Sequence, residues 1–169
     1  MKTIGIFTTT RGDIATLIPL IEKIRESKKI KYLFFVGGTH LEAKFGTTLN
    51  EIKKNKFIKI TETFRYKISS DTKKSLAYSL ADSNKIISRI FNKYKMDLVC
   101  LIGDRFEKLS ILNNSIVYQV PMFHLAGGEK TEGAIDEIIR HTFTKASHLH
   151  FTMCEQYKKN VLKMGEEKK

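Results

Sequence analysis

The apolar positions of this chain fall into two alternating patterns. KTIGIFTT (2–9) is a short, continuous, β-branched run, as expected of a strand covered on both faces. Ile14, Leu17, Ile18, Ile21 and Ile24 then recur at helical spacing. Pro19 suits a first helical turn, so the regular helix is expected to begin near residue 16. KYLFFVGG (31–38) predicts a second strand, 40–54 a short polar helix or loop, and 57–60 a third strand. Residues 61–72 read as irregular, with Ser70 or Asp71 capping a long helix that runs to about residue 95. Further strands are predicted at 96–103, 121–126 and 148–153, and further helices at 106–118, 133–145 and 155–164. Gly165 suits the residue just past the last helix. Within 133–145, Ile135, Ile138 and Ile139 are expected to form the buried stripe. Strands alternating with helices predict an α/β fold, a single doubly wound parallel sheet of Rossmann-like type.

Composition agrees with one globular domain: 169 residues, 41% hydrophobic and 28% charged. No apolar run approaches the roughly 20 residues of a membrane span, so no membrane partner is expected. MKTIGIF lacks the apolar core of a signal peptide. Cys100 and Cys154 have no metal spacing, and Cys100 lies in the apolar LVCLIG, so a cytoplasmic location is expected. The net charge of +12 raises the question of nucleic acid. The excess is lysine scattered through KKIK (28–31), KKNKFIK (53–59), NKYK (92–95) and YKK (157–159), with no arginine stripe or aromatic platform. The expectation is a solvated lysine-rich surface and no nucleic-acid partner.

Ligands of such sheets collect outside the carboxyl ends of the strands. Four predicted loops there carry Thr8–Asp13, Gly37–His40, Gly103–Arg105 and Gly127–Glu129. They bring Arg11, His40, Asp104, Arg105 and Glu129 to one rim, and three of them turn on glycine. Plainer roles exist for each. Asp104 could cap a helix, Arg11 could pair with Asp13, and His40 could be a polar loop residue. His124 reads as a hydrogen-bonded core histidine, and His148 with His150 lacks a third metal ligand. Glu132, Asp136 and Arg140 are spaced to share one helix face. A bare Asp136–Arg140 surface pair would contribute only about 0.3–0.5 kcal/mol. As part of a site, Arg140 could clamp a phosphate or order carboxylates while Asp104 and Asp136 carry protons. TTTRGD matches neither the dinucleotide fingerprint nor the P-loop.

TTTRGD with LIPLI (8–21), GGTHLEAKFGTT (37–48), SSDT (69–72), GDRFE (103–107) and HLAGGEKTEGAIDEIIRHTFTKASHLHF (124–151) together resemble the UDP-N-acetylglucosamine 2-epimerases, in particular the hydrolysing branch that serves sialic-acid-type sugars. The resemblance covers essentially the whole chain. It implies the N-terminal half of a glycosyltransferase-B-like two-domain enzyme that binds a UDP-sugar between its halves. It further implies elimination of UDP to a glycal, then hydration, with no metal or redox cofactor. It carries Asp104, Asp136 and Arg140, Arg11 and His40 into the active site, with Arg105 beside them. The chain ends soon after Gly165, so the C-terminal domain is expected to be missing and the isolated half to fold with little activity. A homo-oligomer is a further expectation. One position departs from the family pattern: a carboxylate is expected two residues after His124, and Ala126 stands there. Either Glu129 replaces that carboxylate or the substrate differs. A closely similar branch acts on UDP-2,4-diacetamido-trideoxy sugars, and a domain that only binds sugar nucleotides is the alternative outside catalysis.

Overall fold

The computed structural model describes residues 1–43, 46, 48–67, 70–132 and 135–167. Its strands are β1 (Lys2–Thr8), β2 (Ile30–Gly37), β3 (Glu62–Phe64), β4 (Leu98–Ile102), β5 (Met122–Leu125) and β6 (Leu149–Phe151). The helices are α1 (Arg11–Glu26), α2 (Leu49–Lys54), α3 (Lys73–Lys93), α4 (Leu109–Val117), α5 (Asp136–Ala146) and α6 (Glu155–Lys163). Gly38–Leu41 and Phe106–Lys108 are single 3₁₀ turns. All strand pairs are parallel, in the order β3-β2-β1-β4-β5-β6. The chain winds outward from β1 in one direction and from β4 in the other, so the order reverses between them.

Alternation along the strands divides the core in two. Ile4, Ile6, Phe34, Val36, Cys100 and Ile102 point to the α1 side, where they meet Leu17 and Ile21. Phe7, Phe35, Val99 and Leu101 point to the other side, against Ile87, Ile111 and Phe143. Phe7 and Phe35 stack with ring centroids 4.6 Å apart, and burying each such ring contributes about 2–3 kcal/mol. Cys100 behaves as a small apolar residue, its thiol pKa pushed up by burial.

Several boundaries differ from the sequence expectation. Helix α1 starts at Arg11 rather than near 16, because Thr10 and Asp13 close its first turn, and Pro19 sits on its exposed side. The third strand is at Glu62–Phe64 instead of 57–60. Ile58 and Ile60 pack as loop residues against the α1-side core, which produced the strand-like pattern. Thr72, not Ser70 or Asp71, caps α3 by accepting from the Ser75 amide. The predicted helix start at 133, parts of the 40–54 segment and Ser69 of SSDT lie outside the described residues. Helix α5 is described from Asp136, so Glu132 precedes it and does not share its face with Asp136 and Arg140. Only Ile139 of the expected stripe is buried; Ile135 and Ile138 are 48% and 69% exposed.

Candidate active site

The strand order reverses between β1 and β4, and the carboxyl ends at such a reversal are where ligands of these sheets bind. A buried charge pair lies beneath it. Lys108 Nζ donates to Asp13 Oδ1 and to the Ile102 carbonyl, both at 2.7 Å, and neither side chain is more than 8% exposed. The other Asp13 oxygen accepts from Thr8 Oγ1 at 3.1 Å and from the amides of Thr9 at 3.1 Å and Thr10 at 3.3 Å. The Thr10 contact is the reciprocal arm of a capping box. One carboxylate thus closes α1, shapes the TTTRGD turn and ties it to the end of β4. Such a pair persists because both carboxylate oxygens and two of the three ammonium protons are hydrogen-bonded within the protein.

His40 lies against this pair and is wholly buried. Its Nε2 is 2.8 Å from Thr8 Oγ1 and its Nδ1 2.6 Å from Thr48 Oγ1. Burial lowers its pKa, so the ring is neutral. With Thr8 donating to Asp13, His40 Nε2–H donates to Thr8 and Nδ1 accepts from Thr48. The expectation that His40 touches substrate therefore meets a ring with both nitrogens occupied inside the protein.

The second half of the site is built on Arg140, which is 5% exposed. Its Nη1 donates to the Ala126 carbonyl at 2.9 Å and to Glu129 Oε2 at 2.8 Å. Its Nη2 donates to Asp104 Oδ2 and, at 3.1 Å, to Thr131 Oγ1. One planar guanidinium thus holds two carboxylates from two different strand ends. Four of its N–H groups serve Asp104, Glu129, Thr131 and Ala126. Asp104 binds Arg140 instead of capping a helix, and the expected Asp136–Arg140 pair is replaced by Asp104–Arg140 and Glu129–Arg140.

The backbone explains how these groups reach the rim. β2, β4 and β5 are each followed immediately by a left-handed residue: Gly38 at φ 58°, Gly103 at φ 67° and Ala126 at φ 66°. The first two are glycines, as sterics favour; alanine in that region costs about 1 kcal/mol. The carboxylate expected at position 126 would have to project from this turned backbone. Glu129, three residues on, instead supplies the carboxylate that meets Arg140.

His124 supports the turn from below. Its Nε2 donates to the Gly103 carbonyl at 2.9 Å, which leaves Nδ1 to accept from Thr144 Oγ1 at 3.0 Å. Burial lowers its pKa to about 4. This is the hydrogen-bonded core histidine expected of the position.

The remaining candidates surround these two clusters. Arg105 donates from Nε and Nη2 to the buried Glu107, at 3.3 and 3.0 Å, and Asp136 adds its charge to the field at Arg105. Arg11 is exposed, with Nε 3.7 Å from Glu51 and not paired with Asp13. His148 accepts from the Met122 amide and His150 pairs with Glu166. Among the described residues no group of three metal-ligating side chains occurs. The structure therefore gathers Asp104, Glu129 and Arg140 at one point, sets Arg105 and Asp136 beside them, and leaves Arg11 and His40 on the β1–β2 side. Sequence reasoning missed Asp13, Glu107, Lys108 and Thr131. Thr10-Arg11-Gly12-Asp13 has capping-box spacing and could have revealed Asp13, and Arg105 two residues before Glu107 could have suggested that pair; the partner of Lys108, 95 positions away, leaves no local signal.

A doubly wound sheet with two carboxylates held on a buried arginine at its carboxyl rim defines an α/β domain with a candidate ligand site. The family model described as UDP-N-acetylglucosamine 2-epimerase matches residues 22–169, and the chain belongs to that family. It is 39% identical over 168 residues to the GDP/UDP-N,N'-diacetylbacillosamine 2-epimerase (hydrolyzing) of Campylobacter jejuni, covering 99% of this chain and 43% of that protein. It is 31% identical over 166 residues to the polysialic acid biosynthesis protein P7 of Escherichia coli, covering 98% and 42%. A crystal structure of UDP-N-acetylglucosamine 2-epimerase from Neisseria meningitidis, bound to UDP-GlcNAc, superposes with a TM-score of 0.79 at 20% identity, over 99% of this chain and 44% of that one. The chain thus spans less than half the length of the relatives it matches, and its Rossmann-like sheet corresponds to one half of their glycosyltransferase-B-like architecture.

Proposed function

We propose that this chain forms the N-terminal, carboxylate-bearing half of a hydrolysing UDP-sugar 2-epimerase. The observation that carries the reading is the sharing of Arg140 between Asp104 and Glu129 at the carboxyl rim. In this mechanism a carboxylate removes the C2 proton, the C–H electrons form the C1=C2 bond, and the C1–O bond to UDP breaks. Water then adds across the glycal, oxygen to C1 and proton to the opposite face of C2, which releases the free 2-epimer. Asp104, Glu129 and Asp136 are the proton carriers. Arg140 orders the first two, since its guanidinium is already committed to them. Arg105 and the exposed Arg11 face the diphosphate, and His40 holds the loop that carries Arg11's neighbours. No cofactor takes part. The C-terminal domain of the complete enzyme closes the UDP site, and the enzyme works in the cytoplasm as a homo-oligomer supplying sialic-acid-type sugars.

Two substrates fit this chemistry: UDP-N-acetylglucosamine, giving N-acetylmannosamine, and a UDP-2,4-diacetamido-trideoxy sugar. The second is favoured by the names of the C. jejuni relative and of a 33% identical relative from Legionella pneumophila. The test joins the chain to the C-terminal part of the C. jejuni relative and measures UDP release and free 2-epimer with each substrate. Asp104→Asn and Asp136→Asn should each lower turnover by at least about 100-fold. Turnover that survives Asp104→Asn sinks the assignment.

A further inference from the structure

The lysine runs 28–31 and 53–59 take no part in the site above. They meet at the opposite rim, where β2 begins and the 55–61 segment approaches β3. The two segments are stitched together: Tyr32 Oη donates to the Phe57 carbonyl at 3.3 Å and accepts from the Lys59 amide at 3.0 Å. Between them lies an open groove of about 640 Å³. Arg25, Lys31, Lys56 and Lys59 line it and no carboxylate does. Its floor is apolar, with Ile24, Ile30, Leu33, Ile58 and Ile60. Phe57 stands 50% exposed in the middle of KKNKFIK, with the Arg25 guanidinium 5.3 Å from its ring. Lys28 and Lys29, before β2, and Lys53 and Lys54, at the end of α2, are exposed beside it, and among the described residues none of these seven lysines has an ion-pair partner. The nearest acid on α1, Glu26, is taken by Lys23.

We propose that this amino-end rim docks the protein on an anionic lipid surface, with the lysines over the headgroups and Phe57 entering the interface. Charge complementarity and the exposed aromatic select this occupant together. Exposed, unpaired lysines make a diffuse positive field suited to many headgroups, whereas one bound phosphate would call for fixed arginines. Stable surface attachment takes two signals, and a polybasic patch with an apolar anchor supplies them without a spanning segment. Among the described residues no helix is long and apolar enough to cross a membrane, which this mode does not require. Single-stranded nucleic acid would call for stacking platforms, and the one exposed ring here has the Arg25 guanidinium over it, while duplex DNA is left to the test below. The eight-residue β2 sets the groove about 25 Å from the carboxyl rim, so a docked protein keeps its candidate active site turned toward solution.

The experiment is co-sedimentation of the whole chain with vesicles of pure phosphatidylcholine or with about 30% phosphatidylglycerol added, at about 0.1 M salt. Binding is expected only to the anionic vesicles, falling at least about tenfold at roughly 0.5 M salt. Lys56→Glu with Lys59→Glu should weaken it at least about tenfold, and Phe57→Ser about threefold or more, with unchanged melting temperatures. Lys73→Glu with Lys74→Glu, the same change of net charge at the start of α3, should stay within about twofold. Equal binding to neutral vesicles, no binding to anionic ones, equal loss in the α3 control, or no effect of Phe57→Ser overturns the proposal. Duplex DNA that displaces the vesicles and loses binding in the same Lys56/Lys59 variant reassigns the rim to nucleic acid.

Discussion

The two ends of the sheet carry charge in opposite ways. At the carboxyl rim the carboxylates are partnered and most are sheltered: Asp13 with Lys108, Asp104 and Glu129 with Arg140, and the buried Glu107 with the exposed Arg105. At the amino rim Lys28, Lys29, Lys31, Lys56 and Lys59 stand exposed and unpaired among the described residues. The first arrangement fixes geometry, because a sheltered charge must hold its partners. The second makes a field without fixing anything. Net charge alone hides this division: +12 describes the amino rim and the helix surfaces, while the candidate chemistry depends on a few carboxylates elsewhere.

If the contrast is right, substitutions at the two rims differ in size. Lys108→Met should be the most damaging, destabilising by about 3–5 kcal/mol in urea titrations because it strands the Asp13 carboxylate in the interior. Adding Asp13→Asn should restore part of that loss. A double variant no more stable than Lys108→Met alone would contradict the account.

Acid should act next, and again through the carboxyl rim. His124 has a folded pKa of about 4 against an unfolded value near 6.5, so the unfolded chain takes up the proton first. Stability is therefore complete above pH 6.5 and falls as pH drops toward 4, by up to about 3 kcal/mol. His40, shifted the same way by burial, adds to the slope. Urea midpoints across pH 4–7 measure it, and His124→Gln should flatten the slope; an unchanged slope would remove His124 as its source.

At the amino rim, Lys56→Glu and Lys59→Glu should each change stability by no more than about 0.5 kcal/mol. A larger loss would mean that these lysines hold structure, and the contrast would fail.

Much of the fold was legible because burial on both faces imposes continuous apolar strands, and the helices between them keep their period. The doubly wound class followed from that alternation alone. What misled was local likeness without local cause. Ile58 and Ile60 alternate like a strand but anchor a loop, while Glu62–Phe64, with one apolar residue in three, pairs with β2. The Glu132–Asp136–Arg140 face presumed a helix through all three, yet α5 starts only at Asp136. Loop position placed Asp104 and Glu129 at the carboxyl rim, where the structure joins both to Arg140 of α5. Partners distant in sequence were not legible: Lys108 meets Asp13 across 95 positions, and no spacing rule reaches that far.

The Asp13–Lys108 strut has a consequence for binding. It joins the turn after β1 to the end of β4, so the two strand ends cannot move independently. A ligand entering there meets walls whose ordering was completed during folding, and little side-chain entropy remains to be lost on contact. Discrimination on that side comes from rigid shape. The Glu129–Thr131 wall is separate: it is tied to the fold through Arg140, so it can be remodelled without disturbing the strut.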